Sequence, residues 1–387
     1  MCELPCNISP SPSDAGEEAI IERRMLSKLL LYCWQREYDK RPYDNFQFRR
    51  LECEERLNRQ YHYLDDFRVI VNFLLEHPMH SVSIWSIMVS NQCPNLLQDF
   101  VRSLLHVARI ELKLMELPVE FFVMLRLNAK KMKVVSLSLE GSPLDDEHAR
   151  HLREFLLVSK TLQTLNVCST SLTQYNFATL ADAVHKSCNI KNLHVSRLLP
   201  LNLSLDSEKI ASVVGSILMQ NRLVELTMEQ CGFLALDMEI IAEYLEDEHC
   251  SLKKLRLGYN QISADGAMFL MRAIAKGGAL QLLDISTNSI GSHGGEWVAH
   301  HFSSCNMLQY LYLNNNSISA DIINLLLLTL KKPCRIKRLQ IFGNQFNSRT
   351  AAILRRLLDA HVIAQSDIDI GYAYDEQKED FRIVPWR

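Results

Sequence analysis

One short pattern recurs along this chain at a nearly constant spacing of about 28 residues, and that spacing is what most limits how the chain can fold. The segment SLKKLRLGYNQIS at 251–263 is matched at its main apolar positions and its asparagine by ALQLLDISTNSIG at 279–291. A unit this short cannot bury an apolar face alone, so successive units must stack on one another. Copies of the pattern start at positions 79, 107, 134, 162, 190, 223, 252, 280, 308 and 336.

Each unit contains two kinds of apolar periodicity. The alternation of Leu255, Arg256 and Leu257 predicts a short strand with its leucines pointing inward. The Asn260 side chain at the end of that strand can satisfy backbone groups where the chain turns. The stretch AMFLMRAIAKGG after Gly266 has helical spacing and ends at two glycines. A strand and a helix in each unit predict an α/β solenoid with the sheet on one side and the helices on the other.

The pattern resembles the leucine-rich repeat, L-x-x-L-x-L-x-x-N-x-L, and its length is similar to that of the ribonuclease-inhibitor-like subfamily. The resemblance covers residues 79–363 as ten repeats. It implies a right-handed horseshoe with a parallel concave sheet and outer helices. It also implies protein partners, since members of the family include enzyme inhibitors, cytoskeletal caps and axonemal components.

Both ends of a repeat array need covers, because an open end exposes apolar core. We expect residues 1–14 to be a flexible tail and residues 15–78 to form a helical N-terminal cap that opens on a capping box of Asp14 and Glu17. Residues 364–387 alternate in polarity and turn through charged residues, which predicts a C-terminal β cap.

One repeat departs from the regular spacing. The repeat at 190 has Leu198 where asparagine is expected, and the next repeat starts only at position 223, later than in any other pair of neighbours. The leucine-rich insertion at 198–205 either folds over a neighbouring repeat or forms a lip that binds a partner.

Charge and cysteine usage restrict the class of partner and the compartment. The net charge of -3 gives no electrostatic reason to expect nucleic acid or a membrane surface. The first residues do not resemble a signal peptide, and eleven cysteines without a C-x-x-C pair fit a reducing compartment. We therefore expect a cytoplasmic protein, with cytoskeletal or ciliary structures as alternatives. Four cysteines recur just before a repeat's first apolar residue, which predicts a packing position: Cys188, Cys250, Cys305 and Cys334.

The sequence contains few candidates for a catalytic or metal-binding site. It contains no Gly-rich phosphate loop, no H-E-x-x-H and no nucleophile elbow. His300 and His301 are adjacent and would point in different directions on a helix, and the acidic stretches at 144–148 and 246–249 fit solvated faces. We therefore predict a non-enzymatic protein without metal or cofactor.

The concave sheet is the predicted binding surface. Residues on either side of each inward leucine point into the hollow, and equivalent residues of successive repeats should form rows, because neighbouring strands lie about 4.8 Å apart. The earlier repeats carry smaller groups there, such as Ser136 and Thr164, so the C-terminal half is favoured, with Glu225, Thr227 and Glu229 as an acidic flank. The predicted partner-binding residues are Lys254, Arg256, Tyr259, Asp284, Tyr310, Tyr312, Asn314, Arg338, Gln340 and Phe342.

These features favour a scaffold that binds a protein partner, either as a monomer or as a subunit of a larger assembly. A Ran-type GTPase activator has a similar repeat length, although the strongly acidic tail of that family is missing. Residues 29–33, LLLYC, are similar to the elongin-binding box of ubiquitin-ligase receptors, although Lys28 and Glu37 depart from it. Residues 382–386, RIVPW, are similar to a phosphatase-1 docking peptide, but Pro385 fits a capping role better.

Overall fold

The computed structural model contains a single long parallel sheet backed by helices. It describes residues 31–40, 45–48, 63–86, 89, 93–187, 189–198, 206–220, 222–247, 249–376 and 380–386.

The described residues form one parallel sheet of eleven strands that lie side by side in chain order. Ten of these strands, β2 to β11, fall two residues after the ten predicted repeat starts, so the predicted α/β solenoid is confirmed. The strands are β1 (Asn45–Phe48), β2 (Ser81–Trp85), β3 (Arg109–Lys113), β4 (Ser136–Ser138), β5 (Thr164–Asn166), β6 (Asn192–His194), β7 (Glu225–Thr227), β8 (Lys254–Arg256), β9 (Leu282–Asp284), β10 (Tyr310–Tyr312) and β11 (Arg338–Gln340).

A helix follows each strand from β2 to β11 and returns the chain to the start of the next strand. Parallel neighbours require such a crossover, which is why each unit is much longer than its strand. The helices are α1 (residues 31–40), α2 (Tyr63–Glu76), α3 (Pro94–Ser103), α4 (Val119–Asn128), α5 (Asp146–Val158), α6 (Gln174–Ser187), α7 (Ser207–Leu218), α8 (Ala235–Leu245), α9 (Ser263–Ala275), α10 (Gly291–Phe302), α11 (Ala320–Leu328) and α12 (Ser348–Asp359).

The core lies between the sheet and the helical layer. The central leucine of each short strand is fully buried, as at Leu255, Leu283 and Leu311. Cys250 and Cys305 are buried at the predicted packing position, and burial raises the pKa of the Cys305 thiol to about 11. A buried, protonated thiol packs as a small apolar group. Cys334 is half-buried, and Cys188 lies outside the described residues.

A ladder of asparagine side chains joins the C-terminal repeats. Asn316 shows the pattern: its Nδ2 donates to the carbonyl oxygens of Ile285 (2.9 Å) and Leu313 (3.1 Å), and its Oδ1 accepts from the backbone N of Asn288 (2.8 Å). One buried amide thus satisfies backbone groups in its own repeat and in the preceding one. Asn260, Asn288 and Asn344 make corresponding bonds.

Smaller polar groups replace asparagine in the earlier repeats. The Ser142 hydroxyl donates to the Leu112 carbonyl oxygen (2.9 Å) and accepts from the Met115 backbone N (3.0 Å). The Thr170 hydroxyl donates to the Val167 carbonyl oxygen (2.8 Å). A hydroxyl offers one donor where an amide offers two, so these turns are tied to their neighbours by fewer side-chain bonds.

The N-terminal end contains an element that the sequence analysis did not predict. The region expected to be a helical cap also contributes β1, which pairs with β2 and adds an eleventh strand to the sheet. Phe46 and Phe48 of this strand are buried, and the Phe48 ring lies edge-on to Trp34 with centroids 4.8 Å apart. The segment is too short for its alternation to stand out, and the aromatic contacts that stabilise it come from α1 and α2. The predicted capping box at Asp14 and Glu17 lies outside the described residues.

The C-terminal end is the predicted hairpin. Strands β12 (Ile370–Asp375) and β13 (Asp380–Pro385) pair antiparallel and contact α12. The RIVPW segment is largely in this hairpin, with Arg382 opposite Ala373 and Val384 opposite Gly371. Its backbone is therefore engaged in capping.

The insertion after the repeat at 190 is only partly described. Leu198 is buried, and α7 begins after Asp206, whose side chain accepts from the Lys209 backbone N (3.1 Å). Residues 199–205 lie outside the described ranges, so the choice between a cover and a binding lip stays open.

We predict that Asn288→Ala lowers the free energy of unfolding by about 3 kcal/mol, because it removes three hydrogen bonds to backbone groups of two repeats and leaves the Ile262 backbone N without a side-chain acceptor. Urea denaturation followed by circular dichroism measures the loss. Asn306→Ala is the matched control, since the exposed Asn306 side chain accepts one long bond from Arg335 (3.4 Å). Equal losses in the two variants would contradict a structural role for the ladder.

Candidate functional site

Strand register places the predicted concave residues in two rows. The first row runs through Lys254, Leu282, Tyr310 and Arg338, and the second through Arg256, Asp284, Tyr312 and Gln340. In β10 and β11 the outer residues are partly exposed while the central leucine is buried, as alternation along a strand requires. The predicted row of equivalent residues, one from each repeat, is therefore present in the structure.

Arg256 is held from one side by two side chains of the second row. Its Nη1 lies 3.5 Å from Asp284 Oδ2, and its guanidinium carbon lies 5.7 Å from the centre of the Tyr312 ring. The ion pair and the cation–π contact direct the guanidinium along the row. We call Arg256, Asp284 and Tyr312 the central triad.

The acidic flank is linked to the central triad through β8. Lys254 Nζ lies 3.0 Å from Glu225 Oε2 on the preceding strand. Thr227 is buried, and its hydroxyl lies 2.9 Å from His194 Nδ1. Burial lowers the pKa of the His194 imidazole, which favours the neutral ring. The flank therefore carries carboxylates and no histidine charge at neutral pH.

Tyr259 and Phe342 are the exposed aromatic members of the predicted set. Tyr259 is 55% exposed and Phe342 is 41% exposed. Tyr259 has a φ of 59°, in the left-handed region, because it lies in the turn just before a ladder asparagine. Large side chains exposed beside a sheet face are available for contact with another molecule.

The C-terminal cap holds three residues of the predicted site. Asp369 accepts from Asn314 Nδ2 (2.6 Å) and from the backbone N of Phe342 (3.1 Å), while Arg338 Nη1 donates to the Ser366 carbonyl oxygen. The sequence analysis assigned the cap only a covering role. No spacing in the sequence relates Asp369 to Asn314, so this link became visible only in the folded chain.

Sequence reasoning also missed Leu282. It occupies a concave position between Lys254 and Tyr310, yet it is only 5% exposed. The residues before and after Leu282 in this row have longer side chains. Leu282 is therefore a buried apolar position between them on the sheet surface. The sequence did indicate this burial, because a leucine stands at a position where other repeats carry a polar residue.

The repeats that start at 134 and 162 present smaller polar groups to the hollow, as predicted, whereas the two repeats before them also carry large side chains. Asn192 Nδ2 donates to the Thr164 hydroxyl (2.9 Å) on the neighbouring strand. Farther along, Lys113 Nζ lies 3.2 Å from Glu140 and 5.1 Å from the centre of the Trp85 ring. These polar groups contact one another, while the buried Ser138 Oγ has no hydrogen-bond partner within the described segments.

The histidine and acidic clusters are structural features of helices. Asp145 accepts from the backbone N of Glu147 (2.9 Å) and His148 (3.0 Å) and so caps α5. His300 pairs with Glu296 (3.5 Å), whereas His301 Nδ1 lies 3.1 Å from the Trp297 carbonyl oxygen, so the two rings have different partners. Within the described ranges, no group of three or more His, Cys, Asp or Glu side chains is arranged to hold a metal ion.

Two further observations concern the alternatives. Cys33, in the stretch similar to an elongin-binding box, is exposed on α1, while Leu29 lies outside the described residues. That hypothesis stays a prediction. In the described part of the chain, no helix combines the length and the apolar character needed to cross a bilayer.

Glu229 lies beside the central triad in an unfavourable charge environment. Burial raises the pKa of its carboxyl group, and the negative charge of Asp284 raises it further, against opposing effects of Arg256 and Arg197. A carboxyl group with a raised pKa in the folded chain destabilises that chain when ionised. This destabilisation is present above the folded pKa and disappears as the pH falls through it.

We predict that Glu229→Gln raises the melting temperature at pH 7 by on the order of 1 °C, because it removes this ionised group. The gain should shrink toward zero near pH 4, where the native carboxyl group is largely protonated. Differential scanning fluorimetry at both pH values tests it, with the exposed Glu239→Gln on α8 as control. A gain that is the same at both pH values would contradict the electrostatic explanation.

Comparison with known proteins agrees with the repeat assignment. A family model described as "Leucine Rich repeat" matches residues 248–271. Human "NACHT, LRR and PYD domains-containing protein 5" is 27% identical over 250 residues, which covers 58% of this chain and 21% of that protein. The chain thus spans about a fifth of the length of this curated relative.

Solved structures give only a loose likeness. An internalin, InlF from Listeria monocytogenes, has a TM-score of 0.42 at 15% identity and covers 72% of each chain. The TLR13–ssRNA13 complex has a TM-score of 0.39 at 15% identity, covering 74% of this chain and 42% of that one. The assignment to the ribonuclease-inhibitor-like subfamily stays a prediction. The ten registered repeats, the strand and helix in each and the matched family model together identify this chain as a leucine-rich-repeat protein.

Proposed function

We propose that this chain is a non-catalytic scaffold that binds a protein partner on the concave face of its C-terminal repeats. The observation that carries the proposal is the central triad, in which Arg256 stacks toward Tyr312 and pairs with Asp284 on an in-register row. Tyrosine and arginine are enriched at protein-binding hot spots because they bury much area for few rotatable bonds. Tyr310 and Tyr312 together place two such rings on one strand.

Preorganisation supports the same surface. The ion pairs and the cap contacts already restrict Arg256, Lys254 and Asn314 in the free protein. A partner that binds these groups loses less side-chain entropy than it would on a flexible surface. The exposed Tyr259 and Phe342 extend the surface at the ends of β8 and β11.

Cysteine usage supports a reducing compartment, and we place the function in the cytoplasm on that ground. The described cysteines are free thiols. Desolvation raises the pKa of the Cys231 thiol to about 12, so this group stays protonated and packs in the core. A scaffold of this kind acts through binding, either alone or as a subunit of an assembly.

We predict that the variant Arg256→Gln, Tyr310→Ala, Tyr312→Ala loses a prominent partner in affinity purification and mass spectrometry from the native cell. Glutamine is used at position 256 because glutamate there would add a third carboxylate beside Glu229 and Asp284. Affinity for the purified partner should fall at least about 30-fold, equivalent to about 2 kcal/mol.

A control variant changes the same residue types outside the concave face: Arg272→Gln, Tyr175→Ala and Tyr374→Ala, all exposed. Both proteins must first show cooperative thermal melting close to that of the wild type. An unchanged partner set in the concave variant, or equal losses in the two variants, would contradict binding at this face.

A further inference from the structure

Three large apolar side chains are exposed in the turns after strands β7 and β8 and at the start of α8, next to the acidic flank. Leu236 is 70% exposed, Tyr259 is 55% exposed and Leu234 is 49% exposed. Leu234 forms a parallel bridge with Gln261, two residues after Tyr259, so the three residues lie on the turns of adjacent repeats. We call Leu234, Leu236 and Tyr259 the apolar rim.

The two leucines break the repeat pattern. The positions equivalent to Leu234 and Leu236 carry polar residues or glycine in the next three repeats: Ser263 and Asp265, Gly291 and His293, and Ser319 and Asp321. Ser and Asp are favoured at helix starts because their side chains accept hydrogen bonds from the first backbone N–H groups. Gly is also favoured there because it leaves these groups accessible to water. Here the buried Asp237 accepts from the Leu234 backbone N (2.6 Å) instead. The fold therefore does not require exposed leucines at these positions.

Two carboxylates border the apolar rim on its concave side. A Cβ atom built on Gly258 would lie 3.8 Å from Asp284 Oδ1 and 3.8 Å from Glu229 Cγ, so both acids flank this glycine. Tyr259 follows Gly258 directly in the chain. A side chain placed at 258 would make only ordinary contacts, so steric crowding does not demand glycine there.

The positive groups nearest to Glu229 are engaged elsewhere. Arg256 faces Asp284 and Tyr312, and Arg197 Nε donates to Gln230 Oε1 (2.5 Å). Among the residues that the structure describes, no basic group forms an ion pair with Glu229. Burial is the main cause that raises the pKa of its carboxyl group, and Asp284 raises it further, against opposing effects of Arg256 and Arg197.

We propose that the apolar rim docks a segment of the protein partner in which a lysine or arginine stands next to an aliphatic side chain. The aliphatic group packs on Leu234 and Leu236, and the basic group approaches Glu229 and Asp284 beside Tyr259. Charge complementarity selects this occupant: Asp284 is paired with Arg256, whereas Glu229 has no ion-pair partner among the described residues, so it attracts a basic group and repels an acidic segment. The inference rests on the proposed function and names the chemistry of the partner at one end of the concave face.

The test uses the full chain and a phage-displayed library of random dodecapeptides as the probe. We expect the enriched peptides to carry Lys or Arg beside Leu, Ile or Val, with affinities measured by fluorescence anisotropy on synthetic copies. The variant Leu234→Ser, Leu236→Asp copies the residues of the next repeat, and Glu229→Gln removes one carboxylate. Gly258→Lys supplies a tethered ammonium group between the two acids. Each variant should bind the enriched peptides about tenfold more weakly or worse.

Leu127→Asp is the control for loss of an exposed leucine elsewhere, on α4, and should leave peptide affinity unchanged. Enriched peptides without basic residues, unchanged affinity in the rim variants, or no enrichment would each overturn the inference. Peptides that respond only to Tyr310→Ala and Tyr312→Ala would leave the proposed function standing and remove the rim. A wild-type dimer in sedimentation that becomes monomeric in the leucine variant would assign the rim to a second copy of this chain and overturn the proposal.

Discussion

The buried side-chain amide at the end of each C-terminal strand is the interaction on which the rest of the structure depends. Asn260, Asn288, Asn316 and Asn344 connect each turn to its neighbour, using both donors and the acceptor of the amide. The turn backbone is buried between repeats, where water cannot reach it, and unsatisfied groups there are costly. In these repeats the amide therefore holds neighbouring turns at a constant spacing, and this supports the register that the backbone bonds between strands set along the whole sheet.

Register in turn creates the candidate site. Because each short strand buries its central leucine, its first and last residues must face the hollow, and equal spacing aligns them across strands. Arg256 meets Asp284 and Tyr312 for this reason alone. At the far end Asp369 accepts from the backbone N of Ile341 (2.9 Å), a bond that a strand carbonyl of the next repeat accepts elsewhere, as Gln340 does from Leu313, so the cap that terminates the array also orients Asn314.

The middle repeats carry smaller side chains than the C-terminal repeats, both at the turns and on the sheet surface. Ser142 and Thr170 replace the ladder amide in earlier repeats, and smaller polar groups line the hollow there. Arg256, Tyr310 and Tyr312 lie where the ladder is complete, although the first two repeats also carry large groups such as Trp85 and Lys113. A rigid backbone presents large side chains in a defined geometry, and this favours binding at the C-terminal half.

The repeat period determined the strand and helix of every repeat, the ten strands from β2 to β11 and the two concave rows. These follow from local alternation, which a sequence displays directly. The tertiary structure alone decided that Phe46 and Phe48 form a strand, that Leu282 is buried, and that Asp369 holds Asn314. It also placed Glu229 beside Asp284. Each of these depends on side chains from different elements meeting in space, and no periodicity along the chain encodes such a contact.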